Sequence, residues 1–586
     1  MKRSVWMMLV RGTLGCGLLA GLAACGEQAP KGSEAGEDDG GVDDSDDDDS
    51  EGSGEEAGTE GPAEDDVDDS GADTSVADEG GEDPVHLEVD CPEPKLGEPV
   101  LRLLTREEFT NTVNDIFPAI AGQWQNALPA NSVSHTGFDN SAGTVMGNQN
   151  AQKLLETAES VADAVTGTAL ANLLPCSTAA ADAACATEFI ASYGRRLFRR
   201  PLTAAEQERY LAFFDSALAQ SDFATAIKWI TVGLLQSPFA VYRSEIGIDM
   251  GNGTRQLTPH EIATELAYLY TSSTPSEALL AAADAGNLGD LRVLVDEMLA
   301  TERGRAALQR FFEGYLSYTS VASVGRPAIS EFTNVNRDMV AETRAFIDAV
   351  VFEQGGGLRE LLTTPTTHPS TALAAYYGLP APATDYAAVE RPDGYGVGVF
   401  SQGSFLAAHA SSDASSPTRR GLFAYTKLMC MPEPPLPNDV PQLSSPQPGV
   451  YTTRQRYEML HGQLGSTCAA CHSLFDPIGF AFEHFDEGGR YRATEAGLPI
   501  DATGTIRALQ GGELSFDGVE ELMIGLAENR VVYQCFSAYL GTFAFGTTTS
   551  CLAPSHAAEL EAGTIGIAEA FAALSQEPHF TTRAVR

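Results

Sequence analysis

The sequence predicts a mainly α-helical protein of several domains behind a disordered acidic segment. Three observations support this. Thr-x-x-Glu capping boxes recur at Thr105–Glu108, Thr203–Glu206 and Thr258–Glu261. In each, the hydroxyl caps an orphan N–H and the carboxylate reaches back. Amphipathic runs at helical spacing cover about 149–166, 186–199, 223–236, 288–300, 304–317, 335–353, 418–430, 517–528, 531–544 and 556–574. Strand signals are sparse. The stretch "YAAVERPDGYGVGVF" sets a Pro-Asp-Gly turn between two apolar runs and reads as a short β-hairpin near 384–400.

The first 25 residues, "MKRSVWMMLVRGTLGCGLLAGLAAC", run from basic Lys2, Arg3 and Arg11 through a short apolar stretch to Leu22-Ala23-Ala24-Cys25. This is an export signal over 1–24. Its end resembles a bacterial lipobox, with Cys25 as the lipidated residue; Gly26 in place of Asp favours the outer membrane. No other stretch has the apolar length to span a bilayer.

Residues 26–90 carry 27 acidic side chains against Lys31, more than half of the formal charge of −45. Such a composition buries too little apolar surface to order the chain, so 25–90 reads as an acidic tether. It lacks the glycine turn and terminal glutamate of a calcium loop. The rest of the chain is acidic too, which excludes a nucleic-acid partner because nothing would neutralise phosphates.

Beyond the tether the expected segments are helical domains at 91–175, 176–250 and 251–380. The hairpin and a Pro-rich connector follow at 381–450, then a C-terminal module at 451–586. At Thr258, Pro259 occupies the first helical position, and Ile262, Leu266 and Leu269 share one face. The basic cluster "RRLFRRP" at 195–201 reads as capping and solubility at a helix end.

The chain has ten cysteines. Cys16 leaves with the signal, Cys25 takes lipid, and Cys468, Cys471 and His472 form C-x-x-C-H. That motif is the attachment signature of c-type haem, in which the thiols bond the vinyl groups and the histidine ligates iron. A local disulfide is the alternative. Zinc would need two further ligands that no second C-x-x-C or H-x-x-x-H supplies, and a thioredoxin-like site lacks its βαβ context. Phe475, Ile478, Phe480, Phe482 and Phe485 suit either a porphyrin wall or an ordinary core. The second axial ligand stays open among His461, Met459, His484 and Met523. Cys91, Cys176, Cys185, Cys430, Cys535 and Cys551 remain for disulfides, which an oxidising compartment favours. Local closure favours Cys176–Cys185 and Cys535–Cys551; Cys430–Cys535 is the alternative.

Several stretches carry a family resemblance: "LRLLTREEFTNTVNDIF", "YGRRLFRRPLTAAEQERYLAFF", "QLTPHEIATELAYLYTSSTPSEALLAAADAGNL" and "GVFSQGSFLAAHASSDASSPTRRGLFAYTKLMCMPEPPLPNDVP". The most specific set is His461, the C-x-x-C-H, Asp476-Pro477-Ile478-Gly479-Phe480, Glu483, Phe485-Asp486, Gly489 and Arg492. Over about 100–550 the chain resembles the large exported proteins of Planctomycetes and myxobacteria, which are strings of domains of unknown function ending in a cytochrome-c-like unit. The resemblance implies one covalent haem c with its iron, and His461 as second ligand or pocket contact. The chain departs from the family pattern after Phe545-Gly546, where "GTTTSCLAPS" replaces a charged continuation.

The expected function is a surface-anchored monohaem protein that moves electrons, with helical domains that dock a redox partner or substrate. A non-redox surface lipoprotein and a peroxidase- or oxygenase-like haem enzyme are the competing expectations. No nucleophile–base pair or phosphate loop stands out in the long helical middle.

Overall fold

The computed structural model describes residues 96–585, apart from 132, 134–136, 142–143, 168, 177–181, 435–449, 463–466, 510–511 and 547–553. The signal, Cys25, the tether, Cys91, most of the Pro-rich connector and Cys551 lie outside the described residues.

The fold is mainly α. Strand β1 (Val100–Leu103) leads into α1 (Arg106–Ile116), followed by α2 (Asn148–Thr166), α3 (Ala183–Phe198), α4 (Ala204–Leu218) and α5 (Phe223–Leu235). Strands β2 (Tyr242–Glu245), β3 (Ile248–Asp249) and β4 (Thr254–Gln256) come next, then α6 (Pro259–Thr271), α7 (Leu291–Leu299), α8 (Glu302–Leu316) and α9 (Phe332–Ile347). Short strands β5 (Thr366–Thr367) and β6 (Val389–Glu390) precede α10 (Gly403–Ala408), α11 (Pro417–Phe423), α12 (Thr453–His461) and α13 (Thr467–Phe480). The chain continues through β7 (Thr503–Leu509), β8 (Gly512–Asp517), α14 (Gly518–Leu526) and α15 (Arg530–Phe545), and β9 (Thr582–Ala584) follows.

All three expected capping boxes form, at the starts of α1, α4 and α6, with both reciprocal bonds present. A fourth, Thr452 with Gln455, starts α12. The expected run at 556–574 is two helices, Pro554–Glu561 and Ile567–Ala573. Arg195 of the basic cluster pairs with Glu277 and Asp284, but Arg199 is buried and donates to the carbonyls of Phe239, Ala240 and Tyr242, so the cluster is more than a solvated helix end.

The hairpin expected near 384–400 is not formed. β6 instead pairs antiparallel with β5, Thr367 opposite Val389. The second apolar run cannot extend, because Gly394, Gly396 and Gly398 sit at φ of 81°, 79° and 65°. A real hairpin lies elsewhere, with β7 against β8 in antiparallel register.

Strand pairs and one core cluster connect parts of the chain that are far apart in sequence. β1 pairs with β2, and β9 pairs with β4 from more than three hundred residues away. Aromatic rings join α8 to α15: Phe311 meets Phe536 at 5.5 Å and Tyr315 meets Tyr539 at 5.2 Å. Beneath the β1–β2 pair lies a buried charge network. Arg102 reaches Glu245 at 3.4 Å and Glu265 at 3.3 Å, and Arg583 of β9 pairs with Glu245. Burial and the neighbouring Glu245 push Glu265 up to about 7, against the pull of Arg243 and Arg102.

Cys176 is bonded to Cys185, as local closure predicts. Cys535 is bonded to Cys430 across 105 residues, not to Cys551. The reason is packing: α15 lies on the chain at 424–428, which brings the two Cα atoms to 5.4 Å.

Candidate haem site

The C-x-x-C-H motif opens α13. Cys468 and Cys471 stand one turn apart as free, half-buried thiols. They are not bonded to each other, so the local-disulfide alternative is not what forms.

Two glycines fix the position of α13 against α11. A Cβ on Gly479 would lie 1.9 Å from the Pro417 carbonyl oxygen, and one on Gly421 would lie 1.9 Å from that of Phe475. Only bare backbone permits this approach, and it accounts for the glycine in Asp-Pro-Ile-Gly-Phe. Arg420 of α11 is fully buried and donates to the carbonyls of Leu406, Phe482, Phe485 and Asp486. Burial pulls its pKa down to about 10. Glu483 accepts from Ser415 at 2.9 Å and from Arg492 at 3.1 Å. Burial raises its pKa, with Arg492 opposing. Asp486 accepts from the backbone N–H groups of Gly488 and Arg490. The string that follows the motif is therefore largely a scaffold that holds α13.

Asp476 is different. Its Oδ2 accepts from Nδ1 of His472 at 3.0 Å and faces Nδ1 of His461 at 3.3 Å. Its Oδ1 accepts the Thr418 hydroxyl at 2.7 Å. Burial pushes the Asp476 pKa up, but the bonds from His461, His472 and Thr418 outweigh it, and the net shift is downward. The two imidazoles stack, with ring centres 3.7 Å apart and planes 24° from parallel. The ligand atoms of His461, His472 and Asp476 lie within 4.8 Å of one another.

The stacking bears on the second axial ligand. Two imidazoles on opposite faces of one porphyrin stand end to end across the iron. His461 and His472 instead lie face to face and turn their Nδ1 atoms to the same carboxylate. An iron held by His472 would in this arrangement have His461 beside that ligand, against the face of its ring, rather than opposite it.

A cavity of about 1440 Å³ opens against α13, between α12, the β7–β8 hairpin and the chain at 425–431. It exceeds the ~300–1,000 Å³ of ordinary small-ligand pockets. His472, His461, Phe480 and Phe516 line it, and Arg454 and Arg507 bring two guanidinium groups to its wall. Of the five apolar residues expected to wall a porphyrin, Phe480 alone lines the cavity. Ile478, Phe482 and Phe485 belong to the shared core instead, and Phe475 is buried with its ring 5.2 Å from His472. None of the other ligand candidates reaches the cavity: Met459 is exposed, His484 bonds the Arg492 carbonyl, and Met523 is fully buried in α14. Met429 and Met431 do line it, on either side of the bonded Cys430. Sequence reasoning missed both.

The chemistry of these residues would suit a covalently held haem, while the cavity lining takes in Ala469, Ala470 and His472 of this helix and neither thiol. Two free thiols lie one helical turn apart. The histidine that follows them has its Nδ1 held by a carboxylate, which leaves Nε2 for a metal. The adjoining space is large and lined by aromatic rings; Arg507 and Arg454 reach it, the latter already paired with Glu458 and Asp501.

Four family models match successive stretches. PSD3, protein of unknown function (DUF1587), covers 102–167, and PSD5, protein of unknown function (DUF1595), covers 185–245. PSD4, protein of unknown function (DUF1592), covers 257–379, and PSCyt3, protein of unknown function (DUF1588), covers 397–495. No curated protein and no solved structure gives a significant match. Among the described residues, no helix is long and apolar enough to cross a membrane. The chain is a multidomain protein built from domains of unknown function of the PSD and PSCyt kind.

Proposed function

We propose that this protein is an exported, lipid-anchored electron carrier. In this reading Cys468 and Cys471 hold one haem c and His472 ligates its iron. Cys25 anchors the chain at the outer membrane, and the helical domains dock a redox partner or substrate. The observation that carries the reading is the cavity of about 1440 Å³ lying against the helix of C-x-x-C-H, with His472 in its lining. When bound, the haem supplies one-electron chemistry. The chain's own residues orient it: Asp476 holds the His472 ring, and Phe480 and Phe516 wall the space. The test is full-length protein made with a cytochrome c maturation system, examined by haem staining and a reduced-minus-oxidised spectrum. Covalent haem is expected in the wild type, and normal two-thioether attachment is lost in Cys468→Ala and Cys471→Ala. A wild type without covalent haem refutes the reading.

The cluster of His461, His472 and Asp476 favours a second reading, a divalent metal held by the imidazole nitrogens. Metal content of the purified protein, measured alongside the haem stain, separates the two.

A further inference from the structure

We propose that Asp476 is a positioning residue that sets the electron-donating strength of His472, and thereby the redox potential of the group held at Cys468 and Cys471. The inference rests on the haem reading above and assigns how that site is tuned. His472 and Asp476 are four residues apart on α13, so their side chains share a face. The carboxylate is 7% exposed and meets Nδ1 of His472 at 3.0 Å. An anionic acceptor on Nδ1 draws the ring towards imidazolate and makes Nε2 a stronger donor. It therefore stabilises the oxidised iron and lowers the potential.

The carboxylate is also shared. His461 competes for the same Oδ2 at 3.3 Å, and Thr418 donates to Oδ1 at 2.7 Å. Each added donor spreads the negative charge and leaves less of it for His472. Thr418, on α11, is held close to α13 by the glycine contacts of those two helices. The packing of α11 on α13 thus governs the strength of the bond to His472.

The test is a potentiometric titration of full-length holoprotein. Asp476→Asn keeps the shape, removes the charge and is expected to shift the midpoint potential upward. Asp476→Glu restores the charge and should move it back towards the wild-type value. Thr418→Val removes the 2.7 Å donor to Asp476 together with a longer 3.4 Å contact to Nδ1 of His472, and loss of the closer bond should shift the potential downward; it also keeps the inference testable if the Asp476 variants fail to fold. Covalent haem with an unmoved potential in Asp476→Asn, or shifts of the same sign in Asp476→Asn and Thr418→Val, overturns this inference alone. Wild-type protein without covalent haem overturns the haem reading and this inference with it.

Discussion

Gly479 lies so close to Pro417 that a Cβ on the glycine would stand 1.9 Å from the proline carbonyl oxygen. The contact is backbone against backbone, so no side-chain rotation can relieve an added methyl group. Gly479→Ala should destabilise the protein by about 1–3 kcal/mol, the usual cost of overpacking. Gly325→Ala, at an exposed site with nothing within 4 Å, is the control and should leave the melting temperature unchanged. Thermal denaturation of both variants checks the difference.

Arg420 is the second fastener of the same helix pair. Replacing it with Met removes a buried cation and strands the carbonyls of Leu406, Phe482, Phe485 and Asp486. Each unpaired buried carbonyl costs ~1–3 kcal/mol. Arg420→Met should therefore unfold in urea several kcal/mol earlier than wild type. Arg420→Lys should fall between the two, since one ammonium cannot span four acceptors.

The Cys430–Cys535 bond predicts a specific peptide map. Digestion without reductant should yield one linked species containing both residues, and reduction should separate it. Cys430→Ser with Cys535→Ser should lower stability by ~2–5 kcal/mol, because the bond closes a long loop. Recovery of Cys535 linked to Cys551 instead would contradict the packing of α15.

Glu342 gives a pH signature. Its carboxyl is buried and accepts from Thr367 and, at 3.1 Å, from Tyr377. Burial pushes its pKa up to about 7, with Thr367 and Arg391 opposing. An unfolded glutamate titrates near ~4.3. The folded state therefore binds the extra proton between those values. The stability it contributes is complete below about pH 4.3 and is lost as the pH rises through about 7. Glu342→Gln stays neutral throughout. Wild type should lose up to ~3 kcal/mol relative to the variant between pH 5 and 8, measured by denaturant midpoints.

Much of the helical framework was legible because its signals are local. The hydroxyl of Thr105, Thr203 or Thr258 and the glutamate three residues on act within one turn, and each starts a helix where expected. The hairpin at 384–400 misled because Pro-Asp-Gly outweighed the three glycines that follow it. The true hairpin is marked in the sequence by Gly511-Gly512 between two alternating runs, a weaker turn signal than Pro-Asp-Gly. Cys430–Cys535, Met429 and Met431 were not legible, since their places depend on helices distant in sequence. The bond between His472 and Asp476 had a local clue in its four-residue spacing. The stacking of His461 on His472 had none, because it arises only when α12 folds back on α13.

Arg583 of β9 is the partner that compensates Glu245, deep beneath the first strand pair. A chain that has not yet delivered residue 583 holds a buried carboxylate short of one of its cations, and β4 lacks its neighbour. Docking of β9 therefore ties the last residues of the chain to strand pairs formed more than three hundred residues earlier.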